Sequence, residues 1–297
     1  MLAIYFSAIF FSFRKYRKKY TLWIKRIRRV VERYHCKHHS HLKAFKKAGA
    51  KKENSSRNLL YLMKEDFEKK IQTLAEWLYE SRHLVVFTGA GIITESGLPD
   101  FRGPDGLWTR RDKGLAPTPF NRPWDSVEPN NGHIAIVELQ KMGKLQFCIS
   151  QNVDNLHLKS GIDPDLLAEL HGNITKLRCT KCDKKVDKLS GMTLCQCGGT
   201  LVSSVVNFGE SLPEKDLRLS FEHSRKSDLF LVVGSSLVVT PAADMPREAL
   251  RSGAKLVIIN KGGTPFDHSA HLRFNKEIGT ILPRAIKRLK RLMGLFE

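Results

Sequence analysis

Two groups of residues in this 297-residue chain have types and spacings that perform chemistry. The first is Gly89-Ala90-Gly91, which directly follows the apolar run 83–87. Two glycines one residue apart let the backbone turn sharply and approach a phosphate closely. Amides at the start of a following helix then hold the anion. The turn departs from the G-x-G-x-x-G fingerprint, because the next glycine, Gly97, comes six residues after Gly91. The acidic residue expected about 20 positions on is not evident. Alone, such glycines mark a tight turn as readily as a ligand site. The second group is Cys179-Thr-Lys-Cys182 and Cys195-Gln-Cys197. Two Cys pairs about 12 residues apart suit a tetrahedral zinc ion, and four thiolates close the site, so its role is structural. Four free thiols in a polar segment are the plain alternative. Cys36 and Cys148 have no partner by spacing.

The elements that position these groups follow from the hydrophobic pattern. Phe67, Ile71, Leu74, Ala75 and Leu78 recur at helical spacing, which predicts a helix over 64–82. Short continuous apolar runs at 83–87, 145–150, 229–233 and 256–259 read as buried strands separated by helical or polar segments. That alternation predicts an α/β fold with a parallel sheet covered on both faces. It fails at 173–203, which is Cys- and Gly-rich and reads as an inserted module with its own stabiliser. Residues 104–130 hold five of the 12 prolines and two of the four Trp, and read as a loop-rich insertion.

With 41% apolar residues the chain has enough material for a core, which excludes wholesale disorder. No apolar run approaches the roughly 18–20 residues of a spanning helix. The formal charge of +20 is unevenly placed. Residues 1–60 carry 17 Lys+Arg against 2 Asp+Glu, so the basicity belongs to an N-terminal extension, and residues 49–56 read as a linker. The extension reads foremost as poorly ordered or as a mis-assigned start. Its alternative use is weak contact with nucleic acid or an anionic membrane. Charges follow the apolar start instead of preceding it, unlike a secretory signal. The expected compartment is reducing: cytoplasm, or the nucleus in a eukaryote.

Further motifs occur in a fixed order. Gly97-Leu-Pro-Asp100-Phe101-Arg102 follows the glycine turn. Then come Gln151-Asn152-Val-Asp154-Asn-Leu-His157, Glu169-Leu-His171-Gly-Asn173, Asn207-Phe-Gly-Glu210, Gly234-Ser235-Ser236 and Ile259-Asn260. Over about residues 64–290 this series resembles the sirtuin family of NAD-dependent protein deacylases, closest to the branch that includes nuclear ADP-ribosylating members. The resemblance implies a Rossmann-like parallel-sheet domain with a smaller zinc-binding and helical insertion domain. Residues 61–297 would be the catalytic domain.

The resemblance also implies roles. NAD, consumed as co-substrate, would lie with its diphosphate on Gly89, Ala90 and Gly91, with Thr94 and Ile278 among its contacts. Phe101, Arg102 and Trp108 would cover the nicotinamide and ribose end. Gln151, Asn152 and Asp154 would grip nicotinamide and ribose hydroxyls, with Asn152 and Asp154 counted among the catalytic residues. Gly234, Ser235, Ser236 and Asn260 would hold the adenosine half. His171 would be the general base, since imidazole titrates near neutrality; His157 would organise the loop. One structural zinc would sit on Cys179, Cys182, Cys195 and Cys197. Here the chain departs from the family's second C-x-x-C: Leu194 stands at the third ligand position, and Cys195 substitutes by a one-residue shift.

The activity implied is removal of acyl groups, acetyl foremost, from protein lysine, giving nicotinamide, free lysine and acyl-ADP-ribose. The peptide would add a strand between 206–210 and 235–240. Leu107 stands near an aromatic position of the acid-acyl-selective branch, with Arg110 close by, which disfavours succinyl and malonyl groups. The rival activity is transfer of ADP-ribose to protein from the same site. A non-enzymatic, zinc-containing basic adaptor is the third reading, and it leaves His171 and the Asn152/Asp154 pair unexplained.

Overall fold

The computed structural model describes residues 52–103, 106–116, 126–207 and 209–295. The chain divides into two compact units, Met1–Lys64 and Glu65–Glu297. In the first, the described residues form the opening turns of helix α1 (Lys52–Glu80). Residues 52–56, expected as linker, are therefore helical, and the helix begins well before the expected residue 64. The sequence KENSSRN has no apolar stripe to reveal it. The rest of the extension lies outside the described residues.

The second unit is built on a six-stranded sheet, β1 (Leu84–Thr88), β2 (Leu145–Ser150), β3 (Leu167–Glu169), β7 (Leu229–Val233), β8 (Lys255–Ile259) and β9 (Leu272–Phe274). The strand order is β3-β2-β1-β7-β8-β9 and every pairing is parallel. β1 is buried along its whole length, as a sheet covered on both faces requires. Its side chains alternate between two cores. Leu84 and Val86 face one cluster, with Ile71, Leu74 and Leu78 of α1, Ile136 and Leu139 of α3 (Asn131–Lys141) and Ile281 and Leu282 of α7 (Ile278–Leu292). Val85 and Phe87 face the other, with Met245 and Ala249 of α6 (Met245–Arg251); α5 (Glu214–Lys226) adds Leu217 and Phe221. The sheet is wound outward in both directions from β1 and β7, which places a topological switch point at their carboxyl ends.

Two further short helices are α2 (Leu107–Asp112) in the Pro-rich insertion and α4 (Leu156–Ser160) after β2. Between β3 and α5 lies a second sheet, three-stranded and antiparallel, of β4 (Lys176–Cys179), β5 (Lys185–Asp187) and β6 (Leu201–Ser203). Its core is small: Leu177, Cys179 and Leu201, with Val186 and Cys195 packed against them. Among the described residues, no helix is long and apolar enough to cross a membrane.

Candidate active site

The crevice forms where β1 and β7 end side by side. Gly89 N–H donates to the Val233 carbonyl at 3.2 Å, and Gly91 N–H to the Gly234 carbonyl at 2.7 Å. A Cβ on Gly91 would lie 2.7 Å from Gly234 Cα; one on Gly234, whose φ is +67°, would lie 2.4 Å from Ile92 N. Two backbones pack here without side chains between them, which only glycine permits. Thr94 Oγ1 donates to the Gly91 carbonyl at 2.9 Å. Ala90 is half-buried against the core. The Glu95 carboxylate accepts the N–H groups of Ile278 (2.8 Å) and Gly279 (3.0 Å), and so caps α7. Ile278 itself is buried in the core, so its tie to this turn runs through its backbone.

The second wall follows β2. Gln151 N–H donates to the Thr88 carbonyl at 3.0 Å, and Gln151 Nε2 to Ser235 Oγ at 2.8 Å. Asn152 Nδ2 donates to the Gly89 carbonyl at 3.3 Å. Asp154 Oδ1 accepts the Leu156 N–H at 2.7 Å, but its buried Oδ2 has no partner. Burial pushes the Asp154 carboxyl above its ordinary range. A buried acceptor without a donor is costly, and it is the kind of atom that a ligand satisfies.

His171 closes the site. Its Nδ1 lies 2.8 Å from the Gln151 carbonyl, which can only accept, so Nδ1 carries the proton and Nε2 keeps its lone pair. Burial lowers the His171 pKa below the ordinary imidazole value, with the Gln151 carbonyl opposing this. A neutral imidazole with a fixed tautomer is what a general base requires. Ser236 is half-buried after β7. Asn260 follows β8, where its Nδ2 donates to the Gly262 carbonyl at 3.0 Å.

The structure thus joins Gly89, Gly91, Thr94, Gln151, Asn152, His171, Gly234 and Ser235 in one bonded network. Phe101 and Arg102 lie on the surface stretch that follows. Phe101 is 40% exposed, and Arg102 reaches Asp112 at 3.4 Å. Trp108 is the second residue of α2, and its side chain lies outside the description. Leu107 opens the same helix, while Arg110 Nε donates to the Ala116 carbonyl at 2.7 Å. Neither 206–207 nor 235–240 is a strand in the chain alone, and Phe208 lies outside the described residues.

Residues absent from the expected set, together with the expected loop organiser His157, hold this network in place. Thr88 Oγ1 meets His157 Nε2 at 2.8 Å, tying the glycine turn to the Asp154 loop. Asn130 caps α3 through the N–H groups of Gly132 and His133, and its Nδ2 donates to the Ile92 carbonyl at 2.7 Å. An Asn immediately before a helical pattern is a capping signal that finds this residue. Glu95 carries no such signal, because its partners are almost 200 residues away.

The four cysteines come together as expected, with all Sγ atoms within 4.8 Å of one another. Cys179 to Cys197 is 3.4 Å and Cys182 to Cys195 is 3.8 Å. Zinc–sulfur bonds of about 2.3 Å in a tetrahedron place sulfurs about 3.8 Å apart, so the donor set fits one zinc ion. Cys195 supplies its sulfur, while Leu194 is 65% exposed. A Cβ on Gly199 would meet Cys179 Sγ at 2.5 Å, so the second turn needs glycine to close on the first.

A family model described as the Sir2 family matches residues 119–241. The NAD-dependent protein deacetylase SRT1 of Oryza sativa subsp. indica is 42% identical over 69% of this chain; the match spans only 45% of that protein's length. The NAD-dependent protein deacylase 2 of Pyrobaculum aerophilum is 43% identical over 73% of this chain and 95% of its own. Among solved structures, a Sir2 enzyme described in work on mechanism and regulation is 39% identical, with a TM-score of 0.62 over 76% of this chain and 99% of its own. A Sir2 complex with a deacetylated p53 peptide and 3′-O-acetyl-ADP-ribose is 35% identical, with a TM-score of 0.60 over 73% and 97%. A near-complete match to these relatives at this identity, with a similar fold, means that the chain belongs to the Sir2 family.

Proposed function

We propose that the protein removes acyl groups, acetyl foremost, from lysine side chains of proteins and consumes NAD in doing so. The observation that carries this reading is the neutral His171, held by Gln151 in the crevice whose other walls are the glycine turn and the Asn152–Asp154 loop. The crevice fits a polar ligand such as NAD: Asp154 Oδ2 is a buried acceptor lacking a donor, and the backbone contact of Gly91 with Gly234 holds the two strand ends beside it.

In this reading Gly89, Ala90, Gly91 and Thr94 hold the diphosphate. Ser235, Ser236 and Asn260 hold the adenosine half. Asn152 and Asp154 orient the nicotinamide and its ribose, and Phe101, Arg102 and Trp108 cover that end against water. When bound, NAD would supply an electrophilic glycosidic carbon with nicotinamide as its leaving group, and its ribose would carry the acyl group once one water has cleaved the acyl–lysine C–N bond. His171 Nε2 removes the proton from a ribose hydroxyl. The Gln151 carbonyl steadies the imidazolium that results, since Nδ1–H already donates to it. The acyl-lysine peptide lies along residues 206–210 and 235–240, pairing by backbone. The Cys₄ module holds a structural zinc and takes no part in the chemistry. Sir2 relatives crystallised with a p53 peptide and acetyl-ADP-ribose support deacylation over ADP-ribose transfer to protein. The basic N-terminal stretch is proposed to add, at most, weak and salt-sensitive contact with nucleic acid or anionic lipid.

The test is incubation with NAD and a panel of acyl-lysine peptides. The reading expects NAD-dependent deacylation, best with acetyl and poor with succinyl or malonyl. ADP-ribose attached to protein with the peptide unchanged is the contrary result.

A further inference from the structure

The turn that carries His171 is braced from outside the crevice. Glu169 ends β3 two residues before His171 and is 8% exposed. Its Oε1 accepts a hydrogen bond from Asn173 Nδ2 at 2.6 Å, and its carbonyl accepts the Gly172 N–H at 3.0 Å. Asn173 Nδ2 also donates to Asn155 Oδ1 at 2.9 Å, beside Asp154. The Glu169–Asn173 bond therefore closes the turn around the base and ties it to the Asp154 loop.

Glu169 depends on a charge from another element. Lys185, on β5 of the Cys₄ module, places Nζ 2.5 Å from Asp216 Oδ2 on α5 and 3.7 Å from Glu169 Oε2. Asp216 is 9% exposed. Lys176 on β4 is the other cation acting on Glu169, and it pairs with Asp187 at 2.6 Å instead. Three elements thus meet on one ammonium group. Without it, two nearly buried carboxylates would face each other, and one would have to take up a proton. Burial already pushes the Glu169 carboxyl up, and Lys185 is the main charge pulling it back.

We propose that Lys185 is a positioning residue for the base. It clamps the Cys₄ module and α5 to Glu169, and through Glu169 and Asn173 it fixes the turn on which His171 stands. This rests on His171 being the general base of an NAD-dependent deacylase. No contact between Lys185 and the crevice is involved, so its effect falls on turnover more than on NAD binding.

The experiment compares Lys185→Met, Lys185→Arg and the double change Lys185→Met with Glu169→Gln in the full chain, with zinc content measured for each. Lys185→Met should lower kcat by about tenfold and leave the KM for NAD within about twofold. The deficit should narrow as pH falls, because burial already pushes the Glu169 carboxyl up and a proton there relieves the uncompensated charge. Lys185→Arg should keep most of the rate. The double variant should recover most of it, because Gln keeps the acceptor for Asn173 and removes the uncompensated charge. Zinc content should be that of the wild type throughout. If Lys185→Met does not fold, the folded, active double variant is expected to carry the result, and an inactive double variant counts against the proposal. Wild-type rates in Lys185→Met, or a deficit indifferent to pH and unrelieved by Glu169→Gln, overturn it. A wild type that turns over no acyl peptide overturns the functional reading as well, whereas an active wild type beside an indifferent Met variant overturns this proposal alone.

Discussion

The crevice and the Cys₄ module are held together by opposite means. The crevice is backbone resting on backbone, at the ends of strands buried on both faces, and its polar groups are paired through carbonyls and amides. The module has three short strands and three buried apolar side chains, and its turns converge on sulfur. A large core positions reactive side chains and leaves one of them, Asp154, with an unmet bonding need. A segment too small to bury a large core is held by its cysteines instead. In the proposed reading, chemistry belongs to the first region and metal to the second.

The largest expected effect falls on the crevice alone. His171→Tyr should abolish deacylation while the thermal unfolding profile and most NAD binding remain. In the wild type, the acid limb of kcat/KM should fall below the ordinary imidazole value of about 6.5, because burial lowers the His171 pKa. The base is competent when unprotonated, so activity is lost as pH drops through that limb. An acid limb above neutrality contradicts the assignment.

The next effect falls on the module. Cys182→Ser should lose the zinc, and with it metal-linked folding energy that in small Cys-rich sites is on the order of 10 kcal/mol. Cys195→Ser should behave alike, since its sulfur lies 3.8 Å from Cys182. Elemental analysis and unfolding with and without chelator measure both. Normal zinc in Cys195→Ser would mean that another group supplies the third ligand.

A smaller change sharpens the contrast. Asp154→Asn removes the charge from a buried carboxyl group with an unpartnered oxygen, so the free protein should gain about 1 kcal/mol while NAD-dependent turnover falls. Denaturant titration beside kinetics reads both signs; a loss of stability contradicts the view that this oxygen awaits a ligand.

The smallest effect is expected from the N-terminal stretch. Removing residues 1–51 should leave peptide deacylation within about twofold and weaken any salt-sensitive binding to DNA or anionic vesicles. The cut is best placed there because the helix runs from Lys52, so a cut at residue 60 would divide it.

How far the sequence revealed this arrangement depended on the range of the forces involved. Leu145–Ser150 and Leu229–Val233 are strands with the boundaries expected, because a continuous apolar run is what a doubly covered strand requires. β3 and β9 escaped notice, since three residues make no pattern. The start of α1 was hidden by its polar composition, and Gly49 and the Ser pair after it suggested a linker. In the site, the resemblance supplied the residue set, and the C-x-C shift at Cys195 is accommodated with Leu194 turned to solvent. The bracing by Glu95 and by Lys185–Glu169 was not legible, nor was Thr88 as the partner of the expected loop organiser His157, because no local rule marks these bonds.

One measurement tests the central claim most directly. The purified full chain is incubated with NAD and an acetyl-lysine peptide, and all products are quantified by mass spectrometry. The account predicts nicotinamide, deacetylated peptide and acetyl-ADP-ribose in equal amounts, with none formed by His171→Tyr. Deacetylated peptide without nicotinamide, or nicotinamide matched by ADP-ribose on protein instead of acetyl-ADP-ribose, would contradict it.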